Sequence, residues 1–268
     1  LFDLEAYFSR LAVTNVPAGA EGLAVLQNAQ MTAVPFENIT PLLGDVPTLE
    51  PGALAAKLLR QGRGGYCYEQ NTLLAGALTA LGYGPRNHLA RVRNGAAEGG
   101  ARSHLAMTVE VEGARWLVDA GFGGHGPLAP LRLDAGITQY APNGTYRIDR
   151  EADEWVLSRQ VGDTWQSLYG FDEVPVREVD VLAANYLSAR WDNSPFPTNL
   201  MIAAYGASGR VAMFNRRLTR GLAPDDTSEM IASRAALQQV LVEEVGLLLT
   251  PEQIAQVWTK IENAPTSR

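Results

Sequence analysis

SHLAMTVEVEGARWLVDAGFG (residues 103–123) decides how this chain folds. Its apolar residues alternate with other types, which is the period of a strand and not of a helix. Glu112-Gly113 sits midway and reads as a two-residue turn, so Val111 pairs with Ala114 and a hairpin register follows. Leu105, Met107, Val109 and Val111 then share a uniformly apolar face with Ala114, Trp116, Val118 and Ala120. The other face carries His104, Ala106, Thr108 and Glu110 beside Arg115, Leu117, Asp119 and Gly121. His104 lies opposite Gly121 and diagonal to Asp119, about 7–8 Å between backbones and within side-chain reach. Asp119 is the only charged residue of WLVDAGF (116–122), and a carboxylate in such a strand has a partner when buried. The alternative is an exposed strand end.

Upstream the periodicity is helical. DLEAYFSRL (3–11) spaces Leu4, Tyr7, Phe8 and Leu11 along one face with Asp3 as cap, and EGLAVLQNAQMTAV (21–34) continues until Pro35 forces an extended turn. EPGALAAKLLRQ (50–61) has Pro51 suited to a first turn, and YCYEQNTLLAGALTALG (66–82) stops at Gly82. Downstream, HLARVRN (88–94), GTYRID (144–149), EWVLSRQ (154–160) and DTWQSLYGF (163–171) are further strand candidates of a meander or small barrel. REVDVLAANYLSAR (177–190) returns to helix, and NLMIAAY (199–205) with RVAMFNRRLT (210–219) forms a hairpin around GASG. Two helices close the chain, SRAALQQVLVEEV (233–245) and TPEQIAQVWTKIENA (250–264), the second opened by a Thr250–Gln253 capping box. The expected division is 1–84 helical, 85–190 β and 191–268 mixed α/β.

Composition bounds the function. The 268 residues are 46% hydrophobic and 19% charged, ordinary for a globular protein. A net charge of −7 argues against nonspecific nucleic-acid binding, and no apolar run is long enough to span a bilayer. One cysteine excludes an internal disulfide and a multi-cysteine metal site, and His88, His104 and His125 are too scattered for a zinc motif, so no metal is expected. No secretory-signal pattern is read, and the expected location is a reducing cytoplasm.

The single thiol, Cys67, follows a glycine turn and opens a helix in QGRGGYCYEQN (61–71). The positive end of the helix dipole and its unpaired N–H groups favour a thiolate and can bind an oxyanion. Gly64 and Gly65 permit close approach to the backbone. Cys67 therefore reads either as a small packed residue or as a nucleophile. A nucleophile needs a base and an orienting group, and the hairpin supplies His104 and Asp119. His88 reads as a strand-start polar residue, and His125 lies in the loop GFGGHGP (121–127) with no predictable carboxylate beside it. Arg216, Arg217 and Arg220 read either as phosphate contacts or as a solvated charged strand.

VPFEN (34–38), RGGYCYEQN (63–71), SHLAMTV (103–109), LVDAGFG (117–123) and NSPF (193–196) together resemble the arylamine N-acetyltransferase family. The resemblance spans nearly the whole chain. It implies an α+β fold with an N-terminal helical bundle, a central antiparallel β-barrel and a C-terminal α/β lid, with a papain- or transglutaminase-like cysteine site. It implies a triad at Cys67, His104 and Asp119, acetyl-coenzyme A as acyl donor, and an arylamine or hydrazine as acceptor. Phe36, Tyr66, Phe122 and Phe196 suit the lining of a flat aromatic slot. Gly123, Gly124 and Gly126 suit presentation of N–H groups to the pyrophosphate. Rival readings on the same triad are a macrolactam-forming amide synthase and a hydrolase.

Overall fold

A computed structural model describes residues 2–206, 209–222 and 225–266. Helices α1 (Leu4–Leu11) and α2 (Gly19–Ala33) lead to a two-residue strand, β1 (Phe36–Glu37), and a single turn, α3 (Ile39–Leu42). Asp3 caps α1 by accepting from the Ala6 N–H at 3.0 Å. The short helix α4 (Pro51–Leu54) widens into a π-helix over Ala55–Arg60, where continuous α-helix is expected from sequence. Helix α5 (Cys67–Ala80) follows the glycine turn and packs Leu73, Leu74, Ala77 and Leu78 into the core shared with α1 and α2.

Eight antiparallel strands come next: β2 (Arg86–Val92), β3 (Arg102–Val111), β4 (Ala114–Val118), β5 (Leu131–Arg132), β6 (Thr138–Ala141), β7 (Gly144–Glu151), β8 (Glu154–Val161) and β9 (Thr164–Phe171). Their order in the sheet is β5-β4-β3-β2-β9-β8-β7-β6. The sheet curls into a nearly closed barrel filled by Ala90, Leu117, Tyr146, Ile148, Leu157 and Phe171, among others. Its two edges are tied by Gln139, whose amide stands in for a strand, accepting from the Arg132 N–H at 2.7 Å and donating to the Arg132 carbonyl at 2.9 Å. A second tie runs from the Gly136 N–H to the Ile148 carbonyl at 2.8 Å.

The hairpin register matches that set by the turn: Val111 pairs with Ala114, Val109 with Trp116 and Met107 with Val118. Glu112 (φ 54°) and Gly113 (φ 72°) both occupy the left-handed region that a tight hairpin turn demands. Strand β3 is buried on both faces: Met107 and Val109 pack on the helices, Ala106 on the barrel interior. Strand β4 ends at Val118, so Asp119 lies one residue beyond the ladder instead of inside it.

Helix α6 (Glu178–Arg190) leads to a five-stranded antiparallel sheet ordered β1-β10-β11-β12-β13. Strands β10 (Met201–Gly206) and β11 (Gly209–Phe214) form the expected hairpin, with Ala207 and Ser208 of its GASG turn outside the described residues. RVAMFNRRLT does not stay one strand. Asn215 adopts φ 51° and turns the chain, so β12 (Arg217–Arg220) folds back on β11, and β13 (Thr227–Met230) follows. Asn and Asp tolerate this conformation better than other side chains, which is the local reason the turn falls at Asn215. Helix α7 (Arg234–Gln239) relaxes into a π-helix over Val240–Glu244, and α8 (Pro251–Ile261) opens with the expected capping box. Thr250 Oγ1 accepts from the Gln253 N–H at 3.2 Å and Gln253 Oε1 from the Thr250 N–H at 3.0 Å. Strand β1 joins this sheet through Phe36 opposite Ala203, so the last third of the chain is anchored next to the glycine turn.

Ile148 is fully buried in the barrel, and Ile148→Ala should lower unfolding free energy by about 2–5 kcal/mol. Thr250→Ala, which removes one cap, should cost about 1 kcal/mol. Urea titration of the two variants checks the order; equal losses would mean that the barrel interior is not a close-packed core.

Candidate active site

The glycine turn is fixed before α5 begins. The Gly65 N–H donates to the Pro35 carbonyl at 3.2 Å and the Glu37 N–H donates to the Gly65 carbonyl at 3.1 Å, a strand-like bridge to β1. Around it lies a buried ionic web. Glu37 accepts from Arg63 Nη2 at 2.6 Å and Nε at 3.0 Å, and from the Ile39 N–H at 2.6 Å. Glu69 accepts from Lys57 Nζ at 2.7 Å and from the Tyr66 N–H at 3.2 Å. Each carboxylate is thus satisfied by a cation and a backbone amide, the condition under which buried charge is tolerated. The web pins the first turn of α5, and with it Cys67.

Cys67 is 2% exposed and its Sγ lies 3.8 Å from the Ser103 carbonyl oxygen. On its other side is Gly121, where a Cβ would sit 2.8 Å from the Cys67 Cα. Only glycine allows the segment after β4 to pass this close to the helix start. That approach brings His104, on β3, beside the thiol, close enough for Cys67 to act on the charge of its ring. His104 Nε2 lies 2.7 Å from Asp119 Oδ2, leaving Nδ1 for the sulfur.

Asp119 is held from every side. Its Oδ1 accepts from Asn71 Nδ2 and from the Gly121 N–H, each at 2.8 Å, and its own N–H donates to Gln27 Oε1 at 3.1 Å. Asn71 also donates to the Leu105 carbonyl at 2.5 Å and accepts from the Ala120 N–H at 2.9 Å, stitching α5 to β3 and to the segment that follows β4. The His104 ring packs at 4.8 Å on Tyr169 and edge-on at 5.2 Å to Phe122.

Charge follows geometry. Burial alone would push His104 down, but the Asp119 charge and hydrogen bond, with Cys67 beside it, raise its pKa to about 10. Burial would raise Asp119, yet His104, Asn71 and the Gly121 N–H hold its carboxyl below the usual range. The pair is an imidazolium and a carboxylate at neutral pH. The other two histidines are neutral: burial lowers His88 and His125 each to about 4. His88 spans Asp172 O (3.2 Å) and Thr108 Oγ1 (2.9 Å), a satisfied core histidine.

Cys67, His104, Phe122, Phe36 and Phe196 border one cavity of about 770 Å³, which extends toward Arg210 and Arg217 and is roofed by Leu187 and Trp191 of the α6 end. Tyr66 lies behind it, edge-on to Phe196 at 5.3 Å, its hydroxyl donating to Asn185 of α6. Of the three glycines read as cofactor contacts, Gly124 lines the cavity. Gly123 packs on the Phe36 ring, and the Gly126 N–H is taken by the Gly123 carbonyl at 3.1 Å. Arg220 is paired with Glu244 and Glu229, whereas Arg217 faces the cavity. Asn71 was legible, since it sits four residues from Cys67 on the same helix face. Gln27 and Tyr169 carried no such signal. Among the described residues no group of three or more His, Cys, Asp or Glu is placed to hold a metal ion.

The chain matches a family model described as N-acetyltransferase over residues 20–254. It is 37% identical over 251 residues to the arylamine N-acetyltransferase / N-hydroxyarylamine O-acetyltransferase of Salmonella typhimurium, covering 91% of this chain and 88% of that one. It is 36% identical over 254 residues to the arylamine N-acetyltransferase of Mycobacterium tuberculosis, covering 91% and 89%. Among solved structures, the Salmonella typhimurium enzyme superposes with a TM-score of 0.90 at 34% identity, over 96% of this chain and 97% of that one. The Mycobacterium marinum enzyme in complex with CoA superposes with a TM-score of 0.89 at 31% identity, over 96% and 99%.

Histidine NMR at pH 7 should show one imidazolium, His104, and two neutral rings, and Asp119→Asn, which removes the charge that raises it, should lower the His104 titration from about 10. Stability should follow. Raised in the fold, His104 contributes stability that is whole below its unfolded value of about 6.5 and is lost as pH climbs toward about 10. Lowered in the fold, His88 and His125 bind protons more readily when unfolded, so stability also falls from about pH 6.5 down to about 4. Asp119 adds to that acid loss. Urea unfolding against pH should peak near neutrality; a curve still rising at pH 9 would contradict the His104 assignment.

Proposed function

The chain belongs to the arylamine N-acetyltransferase family, and from that premise we propose that Cys67, His104 and Asp119 carry out acetyl transfer from acetyl-CoA to an arylamine or arylhydrazine. The observation carrying this reading is the buried His104–Asp119 pair, 2.7 Å apart, set against the one thiol of the chain at the head of α5 and opening on a cavity.

Each residue has a task that its surroundings support. His104, kept protonated by Asp119, stabilises the Cys67 thiolate by charge. Cys67 attacks the acetyl carbonyl, forming a new C–S bond; the coenzyme A thiolate leaves with the electron pair of the old one and takes up a proton from His104. The N–H of Cys67, the first of its helix, has no intrahelical acceptor, and it is the candidate donor to the oxyanion in this reading. Cys67 then bears the acetyl group. An arylamine, uncharged near neutral pH, attacks that thioester while His104, now neutral, accepts the amine proton. Cys67 is released as thiolate and the pair is restored. Asp119 holds the ring and its charge through both halves, and Asn71 and Gln27 hold Asp119. The flat walls given by Phe36, Phe122 and Phe196 suit an aromatic acceptor.

A macrolactam-forming amide synthase or a hydrolase shares the thiol and the imidazole; the likeness to an enzyme seen with CoA favours transfer from acetyl-CoA. The reading also places the enzyme in a reducing compartment, since an unpaired nucleophilic thiol must stay reduced, and no described helix is long and apolar enough to cross a membrane. We retain the division 1–84, 85–190 and 191–268, on which the thiol, the imidazole–carboxylate pair and the far cavity wall come from separate segments.

Incubation with acetyl-CoA and intact-mass measurement should show one acetyl group per chain, absent in Cys67→Ala and discharged by an arylamine. No adduct and no burst of free coenzyme A would sink the reading. His104→Ala should slow alkylation of Cys67 by iodoacetamide at pH 7 at least about tenfold, because an unassisted thiol is only a few per cent ionised there. Unchanged alkylation would mean that the thiolate owes nothing to His104.

A further inference from the structure

Two arginines lie almost fully buried beside the loop that follows Asp119, and neither has a carboxylate at salt-bridge distance among the described residues. Arg159, on β8, and Arg210, on β11, are each 8% exposed. Elsewhere in the fold buried arginines are paired: Arg63 with Glu37, Arg93 with Glu151 and Glu154. The nearest acidic influence on Arg210 and on His125 is Asp226, exposed on the segment before β13. A buried guanidinium without an anion is costly, so the uncompensated charge points to a ligand that supplies one.

The orientation of these groups sharpens that. Arg159 Nη1 lies 2.7 Å from His125 Nδ1. A guanidinium only donates, so Nδ1 accepts and the ring proton must sit on Nε2. Burial and the two arginines keep the ring neutral near pH 7. His125 lines the cavity, and no described residue accepts from its Nε2–H. Arg210 lines the same wall. Its Nε donates to the Gly124 carbonyl at 2.9 Å, a carbonyl that also accepts from Tyr205 at 2.9 Å, and this contact fixes the plane of the fork. Of the loop backbone, the Gly124 carbonyl and the Gly126 N–H are thus already used.

We propose that Arg210 and the Nε2–H of His125, oriented by Arg159 and the Gly124 carbonyl, form a phosphate-recognition site in the cavity wall that holds a phosphate of the acyl donor. A planar fork of donors beside a neutral N–H donor matches the several acceptor oxygens and the charge of a phosphate. The site rests on coenzyme A being the donor, and assigns to side chains a task that glycine N–H groups alone would otherwise meet.

Three donors test it: acetyl-CoA, acetyl-3′-dephospho-CoA and S-acetyl-N-acetylcysteamine, which lacks every phosphate. In Arg210→Gln and in His125→Leu, the ratio of kcat/KM for acetyl-CoA to that for the truncated thioester should fall at least about tenfold, mainly through KM. Arg210→Lys and His125→Gln, which keep a charge and a donor respectively, should recover part of it. A loss equal for acetyl-CoA and its dephospho form assigns the pyrophosphate; a loss confined to acetyl-CoA assigns the 3′-phosphate. An unchanged ratio in variants that melt cooperatively overturns the site, as does a loss that follows carboxylated against neutral arylamines instead of the donor. Wild-type protein that transfers acetyl from none of the three donors would overturn the acyl-donor reading itself, a result distinct from an unchanged ratio.

Discussion

His104 and Asp119 meet at 2.7 Å with almost no access to water, and that contact constrains everything near it. A charged pair so deep is stable only if each remaining lone pair and proton is matched. Asp119 has Asn71 and the Gly121 N–H on its second oxygen, and the second nitrogen of His104 is left toward the thiol side of the site. Asn71 belongs to α5 and the pair to the hairpin, so matching them requires the helix to dock on β3. The docking in turn requires glycine at 121, because any side chain there would strike Cys67.

A second buried set of charges, Glu37 with Arg63 and Lys57 with Glu69, does for the helix start what Asn71 does for the carboxylate. It locks the glycine turn to β1, which also forms the edge of the C-terminal sheet. Through this strand the thiol, the hairpin and the far cavity wall share one frame. The placement of a reactive group by packing that is itself fully satisfied is how preorganisation is obtained without a moving part.

The hairpin was legible because a two-residue turn fixes register and the register fixes faces: Val111 opposite Ala114 led to His104 and Asp119 without knowledge of the fold. The capping box at Thr250 and the cap at Asp3 were equally local. What escaped the sequence was long-range or very short. Strands β1, β5 and β6 span two to four residues and carry no period. The π-helical stretches at Ala55–Arg60 and Val240–Glu244 have α-like patterns and differ only in hydrogen bonding. Gln27 reaches Asp119 across 92 residues, and Arg159 reaches His125 across 34, so neither pairing leaves a trace in spacing. Asn215, by contrast, is a local signal: an Asn that adopts φ 51° between two strand-like runs marks the turn from β11 to β12.

The central claim is that the acetyl group rests on Cys67 between two half-reactions, so the first half must run and reverse without any acceptor amine. Labelled free coenzyme A, added with unlabelled acetyl-CoA and no arylamine, should therefore appear in the acetyl-CoA pool, and Cys67→Ala should abolish the exchange. Rapid acetylation of an arylamine by a protein that shows no such exchange would contradict the account.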